Sequence, residues 1–286
     1  MSTILITGAT NGIGKETAKA LAKSGHELIL INRNKTAAQS LQKELKALGA
    51  SFVHLYQADL SVMKEVKRVA AEVLEKHQEI DVLLNNAGLI AGAKHMTSEG
   101  IEVTLATNHL APVVLTGMLL PAIQRSKMKR VVNVASEAHK WIRLDPKDLN
   151  MTGTYEPLRC YGNTKLMNIL HIKKLVTLPA LSSISCYALH PGAVRTRFGD
   201  SSTLFMRLMI KLFSPIMLSA QQGAETSIYL CTEQELNAPN GSYFVKSQPA
   251  TPQPSALDTK LRDEVWEASL AMLRSVGIDT EKLYQS

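Results

Sequence analysis

Tyr161 and Lys165 lie four residues apart in the stretch CYGNTKLMN (160–168). On a helix that spacing puts a phenol and a cation on one face, one turn from each other. A cation so close favours the phenolate and can tune the group toward proton transfer. The same pair arises by chance on many soluble helices, so its meaning depends on what else the chain assembles. Ser136 ends the apolar run RVVNVAS (130–136). A hydroxyl there can hydrogen-bond an oxygen as it gains or loses charge, or it can simply close a strand-end turn. Gly8, Gly12 and Gly14 punctuate TGATNGIGK (7–15), with Thr10, Asn11 and Ile13 between and beside them. Glycines between a strand and a helix let the backbone turn tightly and approach a pyrophosphate, which then sits on the helix N-terminus. The G-x-x-x-G-x-G spacing differs from the G-x-G-x-x-G fingerprint, but the physics is shared.

The end of the second apolar run refines this reading. A dinucleotide site that prefers NAD places an acidic residue there, on the ribose 2′-hydroxyl. Here the run ends LINRN, with Asn32 and Arg33. The carboxylate that would repel a 2′-phosphate is missing, and a guanidinium able to bind one is present. The expected cofactor is NADP(H), with NAD(H) as the alternative.

These residues need a scaffold. Strands are expected at 3–7, 27–31, 51–56, 80–88, 130–136 and 183–192, each followed by an amphipathic stretch. The later helices are placed at 62–77, 104–126, 159–177 and 257–273. Near-continuous apolar strands alternating with helices predict an α/β fold, a doubly wound (Rossmann-type) parallel sheet with helices on both faces. No linker composition appears before residue 247, and Pro249, Pro252 and Pro254 read as a loop before the last helix. The expectation is one dinucleotide-binding and catalytic domain over 1–286, with a C-terminal helical extension at 255–286.

Bulk properties exclude several classes. The 286 residues are 45% hydrophobic and 20% charged, which is a globular balance. The net charge of +7 comes without long basic clusters or interleaved aromatics, so no nucleic-acid partner is expected. Cys160, Cys186 and Cys231 are scattered and odd in number, which supports neither a disulfide framework nor a zinc cluster. No metal site is expected, and a reducing, cytoplasmic setting fits. The N-terminus lacks the pattern of a signal peptide, and no stretch offers about 18 uninterrupted apolar residues for a membrane span.

Further motifs then accumulate in one order: NNAG (85–88), TNHLAPVVLT (107–116), NVAS (133–136), Tyr161-x-x-x-Lys165 and HPGAVRT (190–196). This resembles the short-chain dehydrogenase/reductase family along nearly the whole chain, and most closely its retinol dehydrogenase-like branch. The resemblance implies that Tyr161 is the general acid/base, that Lys165 assists it and bonds the nicotinamide ribose, and that Ser136 holds the substrate oxygen. It gives Asn108 a place in a proton relay; as a lone residue, Asn108 reads as a helix-start cap. Asn86, Ala87 and Gly88 would pass the riboses, and Asp59 with Leu60 the adenine; Asp59 also reads as the N-cap of the next helix. Pro191, Gly192, Val194 and Thr196 would contact the nicotinamide.

The expected reaction interconverts an apolar alcohol and its aldehyde or ketone. The rival is a non-catalytic NADP(H)-binding regulatory or interaction protein of the same fold. Two departures from the family pattern stand out: Asn11 where some NADPH-preferring relatives carry a basic residue, and Ala135 where the branch often has serine. A substrate lid is expected around 195–220. Within it, TLFMRLMIKLF (203–213) gathers Leu204, Phe205, Leu208, Met209 and Leu212 on one helical face, with Arg207 and Lys211 on another. Such a helix can also touch a membrane surface. By resemblance, a homo-oligomer would pair through the helices at 104–126 and 159–177.

Overall fold

The continuous apolar runs are explained by a sheet that is covered on both faces. In the computed structural model, which describes residues 1–194 and 218–285, β1 (Thr3–Thr7) sends Leu5 into one core and Ile4 and Ile6 into another. β2 (Glu27–Asn32) repeats the division, with Ile29 and Ile31 on the first side and Leu28 and Leu30 on the second. Side chains alternate across a pleated strand, so covering both faces demands an apolar residue at every position. Each such Leu or Ile contributes about 1.5–3 kcal/mol on full burial.

Helices α1 (Gly12–Lys23), α2 (Lys35–Ala47) and α6 (Ala220–Thr232) close the second core. Helices α3 (Met63–Lys76), α4 (Val103–Arg125), α5 (Pro157–Leu175) and α7 (Thr259–Ser275) close the first. The strands run in the order β3 (Val53–Gln57), β2, β1, β4 (Val82–Asn85), β5 (Arg130–Val134), β6 (Ser185–His190), β7 (Tyr243–Val245) and β8 (Gln248–Ala250). All neighbours are parallel except the last pair. The order reverses direction between β1 and β4, the switch point where open α/β sheets bind ligands beyond the strand ends.

All six expected strands form. β7, β8 and α6 are additional. The two strands have three residues each, too few for a periodic signal. Helix α6 did carry one: Ser219 and Gln222 form a reciprocal capping box at its start. The expected lid helix at 203–213 and Thr196 lie outside the described residues.

Two expected caps are corrected. Asp59 does not cap α3; its Oδ1 accepts from the Ser61 amide and hydroxyl, and the α3 amides of Met63 and Lys64 donate to Glu99 at 2.6 and 3.1 Å. Asn108 does not cap α4 either. Glu102 does so, accepting from Leu105 N, while Asn108 sits in a wide turn where Ala111 N bonds Ala106 O, five residues back. Pro112 causes this widening, because it has no N–H to offer the Asn108 carbonyl. Helix α4 is long and apolar enough to cross a membrane by composition, but 89% of its most apolar window is buried, as in a core helix.

The two long helices assigned above to an oligomer contact are covered by the chain's own C-terminus. The His171 ring stacks on Trp266, with centroids 6.0 Å apart. A polar chain continues from it: Asn133 Nδ2 donates to His171 Nδ1, His171 Nε2 meets Tyr284 Oη at 3.2 Å, and Tyr284 donates to Val113 O at 2.7 Å. That sequence fixes the proton of His171 on Nε2. A Cβ on Gly117 would stand 2.5 Å from the Leu283 carbonyl oxygen. Gly117→Val is therefore expected to cost about 1–3 kcal/mol by overpacking. The readouts are a Tm lowered by several degrees and earlier protease cleavage near residue 280; an unchanged Tm would show that the tail does not pack there.

Candidate active site

The glycine loop is held against β4 by contacts that only small residues permit. Gly8 has φ +69°, and a Cβ on it would lie 2.9 Å from the Ala87 Cα; one on Gly14 would lie 2.6 Å from the Gly8 carbonyl oxygen. Asn86 secures the junction, donating through Nδ2 to Thr7 O at 2.8 Å and Gly8 O at 3.2 Å. The Thr7 hydroxyl accepts from the amides of Asn86 and Ala87, and Asn32 Oδ1 accepts from Ala9 N. Helix α1 begins at Gly12, and its N-cap residue Asn11 makes no side-chain capping bond. The loop thus presents a helix N-terminus to the cleft with a narrow glycine-lined approach, which fits a pyrophosphate.

Across the switch point, β5 and α5 bring the chemical groups together. Ser136 follows β5, and its Oγ accepts from Ala138 N at 3.2 Å, which leaves the hydroxyl proton free to point elsewhere. The Ser136 hydroxyl is close enough to the Tyr161 phenol to favour its ionised form. Lys165 is 2% exposed; its Nζ donates to Val134 O at 2.8 Å and lies 5.4 Å from the Tyr161 ring centroid. Burial pushes the Lys165 ammonium down to about 7. It pushes the Tyr161 phenol up to about 12, against the opposing pull of Ser136. The expectation that the cation makes the phenol more acidic is thus reversed in the protein by itself, because desolvation penalises both charged forms.

Asn108 is fully buried behind this group. Its Oδ1 accepts from Leu89 N at 2.8 Å, and its Nδ2 donates to Leu89 O and to Thr164 Oγ1. It ties the loop following β4 to α5, one residue before Lys165. A Cβ on Gly88 would meet Asn108 Oδ1 at 3.3 Å and Lys165 Nζ at 3.4 Å, so this backbone passes directly over the pair.

One cleft of about 990 Å³, bounded by described residues, joins the two halves. Gly8, Thr10, Asn11, Gly12, Ile13 and Gly14 form one wall, and Tyr161, Lys165 and Pro191 the other. Asn86, Ala87 and Gly88 lie between them, and Arg33, Asp59 and Leu60 stand at the far end. The Arg33 side chain is 75% exposed, with Nη1 4.0 Å from Asp59 Oδ2. Ser136 and Asn108 stand behind the lining. Val194 packs into a small apolar cluster with Ala224 and with Ile13, itself part of the cleft wall.

Sequence reasoning missed Thr7 and the polar layer beneath the site. Asn85 Nδ2 donates to Asn133 Oδ1 at 2.9 Å, and Asn168 Nδ2 shares the Val134 carbonyl with Lys165. It also missed His190, whose Nδ1 accepts from Glu137 N and so fixes the turn after Ser136. Burial holds His190 down at about 4, hence neutral and able to accept. Each is a polar residue inside an apolar strand or a core helix, a signal visible in the sequence but without a partner there.

Comparison with known proteins agrees with this geometry. Residues 2–145 match the family model of the short chain dehydrogenases. Human retinol dehydrogenase 13 is 32% identical over 97% of this chain and 85% of its own length. Among solved structures, an uncharacterised protein from Mycobacterium paratuberculosis superposes with a TM-score of 0.75 at 27% identity, covering 96% of this chain and 94% of its own. An actinorhodin polyketide ketoreductase crystallised with NADPH gives a TM-score of 0.62 at 25% identity, over 81% and 90%. With the switch-point cleft, the glycine loop and the Ser–Tyr–Lys group in one place, the chain belongs to the short-chain dehydrogenase/reductase family, in its retinol dehydrogenase-like branch, and is an oxidoreductase acting on CH–OH groups.

Proposed function

We propose that this protein is an NADP(H)-dependent oxidoreductase that interconverts an apolar alcohol and its aldehyde or ketone, with Tyr161 as general acid/base. The observation that carries this reading is the buried Lys165 with its Nζ 5.4 Å from the Tyr161 ring centroid, both lining the end of the cleft the glycine loop opens. The ketoreductase relative was crystallised with NADPH, which supports the same cofactor here. When bound, the nicotinamide dinucleotide supplies or receives the hydride.

The residues of the chain do the rest. The amides at the start of α1 and the backbone around Gly12 and Gly14 hold the pyrophosphate. Arg33, with its exposed guanidinium, takes the 2′-phosphate, and its neighbour Asp59 faces the adenosine end. Ser136 hydrogen-bonds the substrate oxygen through its hydroxyl and keeps its proton. Tyr161 is protonated at neutral pH, so in the reducing direction it gives its proton to that oxygen as negative charge develops. Lys165 in its charged form would steady the phenolate left behind. Trp141 (83% exposed) ends the turn that follows Ser136, and Leu158 (59% exposed) starts the helix that carries Tyr161. Two exposed apolar side chains on the elements that bear the reacting groups support an apolar substrate.

Tyr161→Phe is expected to lower kcat/KM for NADPH-dependent reduction of apolar aldehydes by about 10²–10⁴-fold. Its NADPH affinity, read by fluorescence titration, should stay within a few-fold; retained turnover would remove Tyr161 from the mechanism. Arg33→Asp should weaken NADPH by about 10–100-fold, the value of a charge-assisted contact, with little change for NADH. Equal effects on the two cofactors would overturn the preference.

Lys165 also gives a pH signature in the cofactor-free chain. Folded Lys165 loses its proton near pH 7, while the unfolded chain keeps it to about 10.5. Between these values the unfolded state binds more protons, so stability rises with pH; below 7 the full cost of burying the charge is present. Lys165→Met should therefore raise Tm most at pH 6, with the gain shrinking toward pH 9.5. A gain that is flat or grows with pH would contradict the burial cost.

A further inference from the structure

At the opposite end of the sheet from the cleft, the fold gathers three metal-ligating side chains that are far apart in sequence. Glu27 is the first residue of β2, His54 the second of β3, and His77 the residue that ends α3. Glu27 and Ile29 share a face of β2, and Ile29 pairs with His54, so Glu27 and His54 project from the same side of the sheet toward the end of α3. Their donor atoms converge. His54 Nε2 lies 3.1 Å and His77 Nδ1 3.8 Å from the same oxygen, Glu27 Oε1, and all three atoms fall within 4.8 Å of one another.

We propose that Glu27, His54 and His77 form a binding site for a divalent d-block cation of the zinc class. Ions of this kind take imidazole nitrogen and carboxylate oxygen at about 2.0–2.2 Å, so two ligands on one tetrahedron stand about 3.3 Å apart. The 3.1 and 3.8 Å separations bracket that edge. A hydrogen bond alone explains the first separation but not the second, which is too long for one.

The outer contacts are those a metal site uses. Tyr56 Oη meets His77 Nε2 at 2.9 Å, and in the tautomer in which Nε2–H donates to Tyr56 the Nδ1 lone pair faces Glu27. Thr3 Oγ1 donates to Glu27 Oε2 at 3.2 Å, leaving Oε1 as the ligating oxygen. Such partners orient the ring and raise the basicity of its other nitrogen. The His54 and His77 rings meet edge to face with centroids 4.6 Å apart, so both stay in place without stacking over the donors. His77 is nearly buried, while the His54 side chain is 38% exposed and opens an entry path and a fourth, solvent-facing position. Lys76 directs its ammonium over the Tyr56 ring, 6.0 Å from the centroid. The bound ion would tie the edge strand β3 and the end of α3 to β2. It has no part in the hydride chemistry, which takes place at the other ends of these strands.

The test uses the full chain stripped of metal by chelation and dialysis. Zn²⁺ binding is followed by calorimetry and Co²⁺ binding by visible absorption. The expected result is one ion per chain, tetrahedral or five-coordinate Co²⁺ bands, and a Tm raised by about 5 °C at a hundredfold excess over Kd. His54→Gln and His77→Gln should each weaken binding by at least about 100-fold. Tyr56→Phe, which keeps all three ligands and the ring, should weaken it by about 10-fold, as loss of an outer partner does. Unchanged affinity in both histidine variants, or no saturable uptake by the folded wild-type chain, would overturn the proposal. A variant whose metal-free circular dichroism departs from wild type is set aside, and Tyr56→Phe with Glu27→Gln then decide: unaltered binding in both rejects the site.

Discussion

The catalytic end of this molecule is arranged around a charge in an unfavourable place, the Lys165 ammonium, which is 2% exposed and held under the Tyr161 ring. An isolated buried cation costs several kcal/mol, and the chain offsets only part of this with the Val134 carbonyl. That carbonyl is available because β5 ends at Val134 and passes no further along the sheet. The close passage of Gly88 over Lys165 and Asn108 follows from the same demand, since any side chain there would enter the space around Nζ. The cost is not wasted. A buried lysine and a buried phenol with shifted proton affinities, beside a cleft, form the environment expected of a site that moves protons.

Positioning these groups requires a rigid frame, and the frame is partly polar. The layer of Asn85, Asn133, Asn168 and His171 runs from β4 through β5 to α5, with bonds between neighbouring members. Such networks stiffen a core when every partner is satisfied, at the risk of a large penalty when one is lost. It reaches the C-terminal tail through Tyr284, so the last residues of the chain and the strand before Ser136 belong to one hydrogen-bonded unit. The tail and α7 also cover the long helices that sequence resemblance had assigned to a second copy, with Gly117 leaving room for Leu283.

Much of the fold was legible from alternation alone. The six apolar runs became six parallel strands because a doubly covered sheet needs apolar residues on both faces, a pattern that survives without knowledge of neighbours. The glycine loop was legible for a similar reason: Gly8 and Gly14 mark places where a Cβ would collide. The caps were not. Asp59 and Asn108 have the composition of capping residues, but the amides of α3 were taken by Glu99, which arrives from 36 residues away in sequence. Pro112 then converted the neighbourhood of Asn108 from a helix start into a wide turn within a helix. β7 and β8 were silent because three-residue strands carry no period.

What the sequence alone determined is therefore the local and periodic part: the α/β alternation, the phosphate-binding turn, the Tyr161–Lys165 face of α5 and the basic residue that ends β2. What only the tertiary structure decided is every property that depends on distance between separate elements. Desolvation moved Tyr161 and Lys165 in directions that their adjacency on one helix does not suggest, because burial depends on the elements packed around the helix. The packing of Val194 against Ile13 joins two segments that are remote in sequence. Parallel pairing of β2 and β3 brought Glu27 beside His54 and, with the end of α3, gathered donors spread over 50 residues of chain. Sequence spacing encodes neighbours on one element; solvation and ligand geometry are fixed only when elements pack.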